Sequence, residues 1–321
     1  MSEIEKVLVV GRGAVGGLFG SLIEEKVGND FAFLVDEKRK QRYEASEYRI
    51  NGVSRTFSYV TNRDAYPVDL VLITTKMKDF DAALTMIEPF LKEDTILISG
   101  LNGIVSDDLL MERYPQPVIR AISQKMDAKY EGDSLSYTKT GELVIGMEKS
   151  GQEESFAKLC AFFDRIDFPY VVSNDIIHDQ YSKLMLNCAI NQICAVYQCT
   201  YGKVCSHPLL YDLFYKTMKE VQHVFAAYEV AIDDQEINAW IEAIQNLDPN
   251  SMPSMAQDRL ARRKSEVMLF SGTLIPMAEK KGIETPCLSM LYEKILQYEK
   301  EERLISSPNS RHAKQLNLEV L

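Results

Sequence analysis

Short apolar runs alternate with amphipathic stretches along the first hundred residues. Residues 6–10, 31–35, 69–74 and 95–99 read as strands. The run at 69–74 is nearly continuous, as in a strand covered on both faces. Residues 14–26 and 80–91 place apolar positions at helical spacing, and Gly28 follows the first as a C-cap. This strand–helix rhythm predicts α/β architecture, a Rossmann-like, doubly wound parallel sheet. Ile50-Asn51-Gly52-Val53 reads as a hairpin turn inserted in it. Residues 118–122 and 143–147 are further strands, with a loop-like stretch between them. Residues 152–165 read as a helix and 170–172 as a last short strand.

Near residue 174 the period changes. Residues 180–197, 209–228, 234–247, 257–281 and 288–303 follow a 3.6-residue repeat, and Gly282 and Pro286 stop the fourth segment. An all-helical C-terminal domain is expected over 175–305, after a first domain over 1–174. A polar tail, 306–321, closes the chain.

Composition narrows the function classes. The 321 residues are 46% hydrophobic and carry a net charge of −11. Such a surface repels nucleic acid and anionic membrane, so neither is expected as a partner. No signal-peptide h-region precedes the first strand, and no apolar run approaches the roughly 20 residues of a membrane helix. A cytoplasmic protein is expected. Cys160, Cys188, Cys194, Cys199, Cys205 and Cys287 form no C-x-x-C pair, and the histidines show no ligand spacing with them. The cysteines read as small helix-face residues, and no metal site is expected.

The chemistry begins at Gly11-Arg12-Gly13-Ala14-Val15-Gly16, which follows a strand and opens a helix. That context makes G-x-G-x-x-G a dinucleotide loop. Gly11 permits the tight turn, Gly13 lets backbone approach the pyrophosphate, and Gly16 lets helix and sheet pack closely. The N–H groups of the helix start, from Ala14 and Val15 on, face the phosphates. Asp36, at the end of the second strand, is either an acceptor for the adenosine ribose hydroxyls, which favours NAD, or a solvated strand-end acid. Lys38, Arg39 and Lys40 follow it and offer charge to neutralise an NADP phosphate. Lys76 and Asn102 follow the third and fourth strands, at the sheet's ligand end. They are candidates for the cofactor's adenosine end and for nicotinamide or substrate.

Lys183, Asn187 and Asn191 stand at i, i+4, i+8, along one face of a largely apolar helix. An ammonium and two amides there require polar partners, which a ligand-lined cleft supplies. Ser254 either caps the long helix that follows or reaches a substrate carboxylate. Glu266 lies on that same expected helix, eight residues after Asp258, where spacing alone makes it a solvated residue.

Together these residues resemble the ketopantoate reductase family. The marks are the glycine loop, Thr75-Lys76, Asn102-Gly103, Lys183-x-x-x-Asn187-x-x-x-Asn191, Ser254-Met255-x-Gln257-Asp258, Ser265-Glu266, Gly272 and Gly282-Ile283-x-x-Pro286. The resemblance implies reduction of a 2-oxo acid, ketopantoate first among them, by NADPH or NADH in pantothenate biosynthesis, with the substrate held between the domains. It implies Lys183 as general acid and Glu266 acting with it. Asn187 and Asn191 would hold substrate hydroxyls, Ser254 the carboxylate, and Asn102 would sit beside the nicotinamide and substrate. It also implies a homodimer through the helical domain. Two departures are acidic: the family usually has a basic residue where Asp36 stands, and often Gln where Asp79 stands. Residues 123–140 also depart from the family pattern. A β-hydroxyacid dehydrogenase shares the Lys-x-x-x-Asn helix, but the Ser254–Asp258 and Glu266 pattern speaks against it. A non-catalytic NAD(P) sensor would have no need of the Lys183/Glu266 pair.

Overall fold

The computed structural model describes residues 3–306. Apart from Ser306, the expected tail lies outside the described residues. The chain forms two compact units that divide after Gln180.

The first unit opens with β1 (Val7–Val10), α1 (Ala14–Val27), β2 (Phe31–Leu34) and α2 (Glu37–Ala45). Then come β3 (Tyr48–Ile50), β4 (Val53–Arg55), β5 (Tyr59–Val60), β6 (Leu70–Ile73), α3 (Phe80–Ile87), β7 (Ile96–Ser99) and α4 (Val105–Arg113). It closes with β8 (Arg120–Met126), β9 (Lys129–Glu131), β10 (Ser134–Ser136), β11 (Thr140–Gly146), α5 (Glu153–Arg165) and β12 (Tyr170–Val172). The main sheet is parallel throughout, in the order β5-β2-β1-β6-β7. Strand periodicity divides its core in two. Val7 and Val9 join a cluster with Leu18, Phe19 and Phe163, from α1 and α5. Leu8 and Val10 face the other way, onto Phe80, Leu84 and Leu110, from α3 and α4. Both faces are covered, which is why the strands are uniformly apolar.

The chain leaves β1 toward β2 and returns on the other side as β6. The strand order therefore reverses at the carboxyl ends of β1 and β6, the position where such sheets bind ligands.

Two smaller sheets extend this frame. The inserted hairpin β3–β4 turns at Asn51-Gly52, as expected. The expectation of a loop between the later strands is corrected. β8 runs on to Met126, and β9 and β10 form a second hairpin within 123–140. The two hairpins join as β4-β3-β10-β9. β8, β11 and β12 form the third sheet.

Arg12, inside the glycine loop, ties that loop to both hairpins. Its side chain is fully buried. The guanidinium lies 3.6 Å from the Tyr43 ring centre and 4.1 Å from that of Tyr48. It donates to the Tyr59 hydroxyl at 2.5 Å and pairs with Asp133 at 3.0 Å, on the β9–β10 turn. Desolvation opposes the charge, but the hydroxyl contacts outweigh it and raise the pKa. No apolar pattern announces this contact, because its partners are spread over some 120 residues.

The second unit is built on one long helix, which begins before the division. It comprises α6 (Ile176–Leu186), a π-helical turn (Asn187–Asn191) and α7 (Gln192–Tyr197). Around it stand α8 (Tyr201–Ser206), α9 (Pro208–Ala226), α10 (Asp234–Gln245), α11 (Ser254–Leu260), α12 (Ser271–Lys280) and α13 (Pro286–Ser306). α7 packs on α11 and α13, and the π turn packs on α9. Cys188 and Cys194 are fully buried along this helix, and all six cysteines are free thiols. The expected helix over 257–281 is corrected. It is broken between Leu260 and Ser271, where Arg262 takes a left-handed φ of 52°. Residues 261–266, Ala-Arg-Arg-Lys-Ser-Glu, offer no apolar face to hold a helix on the core. Among the described residues no helix is long and apolar enough to cross a membrane, and no three His, Cys, Asp or Glu side chains converge as a metal site would.

Replacing Arg12 by Met removes a desolvated cation–π contact and charged hydrogen bonds. It should cost about 3 kcal/mol of stability, read from urea unfolding. Arg12→Lys should recover little of it, because a point charge cannot stack on the rings and fork to two partners. Unchanged unfolding in Arg12→Met would contradict this account.

Candidate active site

The first unit gathers its candidate residues at the carboxyl ends of the parallel strands. Gly11 has φ 101°, a conformation that favours glycine. A Cβ at Gly16 would lie 1.9 Å from the Gly11 carbonyl oxygen and 2.2 Å from Thr74 Oγ1. Thr74, at the end of β6, thus occupies the space that Gly16 leaves. Its hydroxyl donates to the Val10 and Gly11 carbonyl oxygens at 3.0 and 2.9 Å. Sequence reasoning passed over Thr74 in favour of its neighbours. Its position at a strand end next to the loop was the available signal.

The loop fits a dinucleotide's phosphates. A Cβ on Gly13 would meet nothing within 4 Å, so the backbone is open to a ligand there. Gly13 caps α1 without a side-chain bond, and the first turn, with Ala14 and Val15, carries no acid to compete with an anion. Thr75 Oγ1, beside the loop, is buried without a hydrogen-bond partner.

Around this loop, Asp36 caps α2 by accepting from the Arg39 N–H at 2.7 Å. Its other oxygen pairs with Arg39 Nη1 at 3.0 Å, and Arg39 Nη2 reaches Asp79 at 3.5 Å. The two acidic departures therefore hold one guanidinium between them. Lys76 precedes the short turn Met77–Asp79, and Asn102 lies in the bend between β7 and α4. Farther along α4, Asp107 is completely buried and accepts from Gln180 Nε2 at 2.8 Å, and burial pushes its pKa up to about 7. Arg120 donates to Gln180 Oε1 at 3.2 Å and to Glu148 at 2.9 Å. These contacts fix Gln180, the last residue of the first unit, and none of the four residues was a sequence candidate.

The second unit assembles the other candidates on and around the long helix. Lys183 stands on α6 with part of its surface open. Burial is still the strongest influence on its ammonium and pushes its pKa down to about 8, while the Glu266 carboxylate pulls it up. Asn187 and Asn191, both buried, begin and end the π turn. The expected single α-helical face is thus modified. A π turn is wider, yet residues four apart still fall near one face, and such turns recur at functional sites. Asn191 Nδ2 points to Asn187 Oδ1 at 3.4 Å, which uses little of the two amides' hydrogen-bonding capacity. Gln192, fully buried, supports the turn from behind. Its amide donates to the Cys188 carbonyl and accepts from Ser271 Oγ at 2.6 Å.

Glu266 is not on the Asp258 helix, as the broken segment requires. It precedes the short turn Val267–Leu269, in a loop held at two points just before it. Arg263 Nε donates to buried Asp258 at 2.7 Å. Ser265 donates to Glu299 of α13 through its backbone N–H at 2.8 Å and its hydroxyl at 2.6 Å. Glu299 is buried and was not foreseen. Its signal was its place on the helix's apolar stripe, four residues after Ile295 and eight after Leu291. The expected capping role of Ser254 is also corrected. Pro253 occupies the cap of α11, and Ser254 is the exposed first residue of the helix. α11 itself packs on the π turn.

The match to known proteins covers both units. Residues 7–149 match the family described as ketopantoate reductase PanE/ApbA, and residues 175–299 match its C-terminal counterpart. The 2-dehydropantoate 2-reductase of Vibrio cholerae is 28% identical over 229 residues, 71% of this chain and 76% of that protein. That of Pyrococcus horikoshii is 24% identical, over 89% of this chain and 95% of its own. A ketopantoate reductase structure from Ralstonia eutropha superposes with a TM-score of 0.81 at 25% identity, covering 93% of this chain and 99% of that one. A D-mandelate dehydrogenase solved with NADH and anilino(oxo)acetate has the same fold, with a TM-score of 0.84 at 21% identity over 93% and 99% of the chains. The chain belongs to the ketopantoate reductase family and is an NAD(P)-dependent oxidoreductase.

Proposed function

We propose that this chain reduces a 2-oxo acid to the 2-hydroxy acid, with ketopantoate as substrate and pantoate as product, in the supply of pantothenate and coenzyme A. The observation that carries the reading is Lys183: a lysine pushed down to about 8, beside Glu266, on the helix that bears two buried asparagines. A general acid works best with a pKa near the operating pH, and burial brings this lysine there.

The bound nicotinamide supplies the hydride that reduces the ketone carbon. Lys183 gives its proton to the ketone oxygen, so the carbonyl becomes a hydroxyl and the amine is left neutral. Glu266 keeps enough of the lysine protonated to serve and accepts a hydrogen bond from the substrate's hydroxyl end. Asn187 and Asn191 orient the substrate through its hydroxyl groups, and Ser254 donates to its carboxylate. Gly11, Gly13, Ala14, Val15 and Gly16 hold the pyrophosphate, and Asp36 and Lys76 the adenosine end. Asn102 sits at the nicotinamide and substrate. Support for these roles comes from the match of residue type and order to the family, together with the clustering of each set in its own unit.

Lys183→Ala should lower ketopantoate reduction by about 10²- to 10⁴-fold. NAD(P)H affinity, measured by nicotinamide fluorescence, should stay within about twofold, because the lysine is not among the phosphate-binding groups. Wild-type-like turnover in this variant would sink the assignment.

The pH profile tests the same group. The acid must be protonated, so kcat/KM for reduction should be level below about 8 and fall as pH rises through it. Glu266→Gln removes the charge that raises Lys183, so the alkaline limb should move to lower pH. A limb that stays in place or moves up in Glu266→Gln would show that the titrating group is not this lysine.

A further inference from the structure

We propose that this chain selects NADH over NADPH through Asp36, with Arg39 orienting its carboxylate and Asp79 holding Arg39 in place. The inference deepens the NAD(P)-dependent reading and rests on the assignment of the glycine loop to the dinucleotide.

The end of β2 is where the adenosine ribose lies when a dinucleotide occupies such a loop. An ionised carboxylate offers about four acceptor sites, two on each oxygen. In Asp36 each oxygen has one site engaged. Oδ1 accepts from the Arg39 N–H at 2.7 Å and Oδ2 from Arg39 Nη1 at 3.0 Å. One site per oxygen is left, the number needed by the 2′- and 3′-hydroxyls of an NADH ribose. Both existing bonds can persist when NADH binds.

NADPH sets the opposite requirement. Its 2′-phosphate brings a charge of about −1.5 to −2 and only acceptor oxygens toward this carboxylate. Cations would have to meet it, and two of the three basic residues that follow Asp36 are already engaged. Arg39 is held by Asp36 on one side and by Asp79, 3.5 Å away, on the other. Lys40 pairs with Asp64 at 3.1 Å. To reach the phosphate, Arg39 would leave two carboxylates beside a new dianion. The sequence offers Lys38, Arg39 and Lys40 as a basic run, and the structure turns most of that run inward onto acids.

The test is cofactor affinity without any oxo acid, measured by calorimetry and by reduced-nicotinamide fluorescence. Wild-type protein should bind NADH about tenfold or more tightly than NADPH, the scale of one unfavourable charge contact at a half-exposed site. Asp36→Ser keeps a helix-capping hydroxyl on α2 while removing the charge. In it NADH should weaken, NADPH should tighten, and the ratio should shrink at least about fivefold. Asp79→Asn, which leaves the cap untouched, should shrink it in the same direction by less. Equal or tighter binding of NADPH to the wild type overturns the proposal, as does an unchanged ratio in a folded Asp36→Ser protein. The readout is independent of the substrate. A clear NADH preference without turnover of ketopantoate would leave this inference standing and remove the proposed reaction.

Discussion

The helical unit is organised around the burial of an ammonium group. Lys183 sits on a helix whose following residues, from Leu184 to Ala195, are almost all buried. A cation in such surroundings loses water and is stabilised only by groups placed for it. Glu266 is the group whose charge supports Lys183, and it is held by a chain of further contacts. Ser265 is fixed to Glu299, Arg263 to Asp258, and both pairs flank the loop that presents the carboxylate. Asn187, Asn191, Gln192 and Ser271 bring still more polar atoms into the same core. A lone polar residue there would be costly, whereas a connected set costs far less. The break in the long segment after α11, where the polar run gives a helix no apolar face, is what takes Glu266 off the helical repeat.

Much of the fold was legible because its signals are local. Val7 to Val10 alternate between two cores, Gly28 ends α1, and Asn51-Gly52 turns a hairpin, all within a few residues of chain. The glycine loop is equally local, since its turn, its open backbone and its close approach lie within six positions. The second hairpin was readable as well. Gly132-Asp133 between Glu131 and Ser134 is a two-residue turn, but strands of three residues carry too little alternation to draw attention to it. The polar run 262–266 was likewise a local signal, which the expected helix over 257–281 passed over.

What was not legible is held by tertiary contact. Thr74 matters because Gly16 has no Cβ, and that relation appears only once β1 and β6 are neighbours. Arg12 occupies a position in the glycine loop where residue type is loosely specified, and nothing in its surroundings along the chain calls for Arg. Its reason is a cage of Tyr43, Tyr48, Tyr59 and Asp133 from four other segments. The same holds for Glu299 and for the Asp107–Gln180 bond. Family resemblance singled out Glu266 where spacing alone made it a surface residue, because a resemblance carries the result of tertiary packing without showing its cause.

The two units treat charge in opposite ways, and the contrast bears on how each could change. At the rim of the parallel sheet, Asp36, Arg39 and Asp79 are half-exposed, with two contacts between Asp36 and Arg39 and one from Arg39 to Asp79. Exchanging one of them alters local charge with little effect on packing, so the fold stays the same. Around Lys183 and Glu266, which are partly open, Asn187, Asn191, Gln192, Asp258 and Glu299 are all buried. Removing one leaves another without its partner in a low-dielectric core, at a cost in stability. A chain can therefore change the charge at this rim and still keep every residue of the Lys183 cluster. The acidic residues at 36 and 79, beside an intact Lys183, Asn187, Asn191 and Glu266, are that combination.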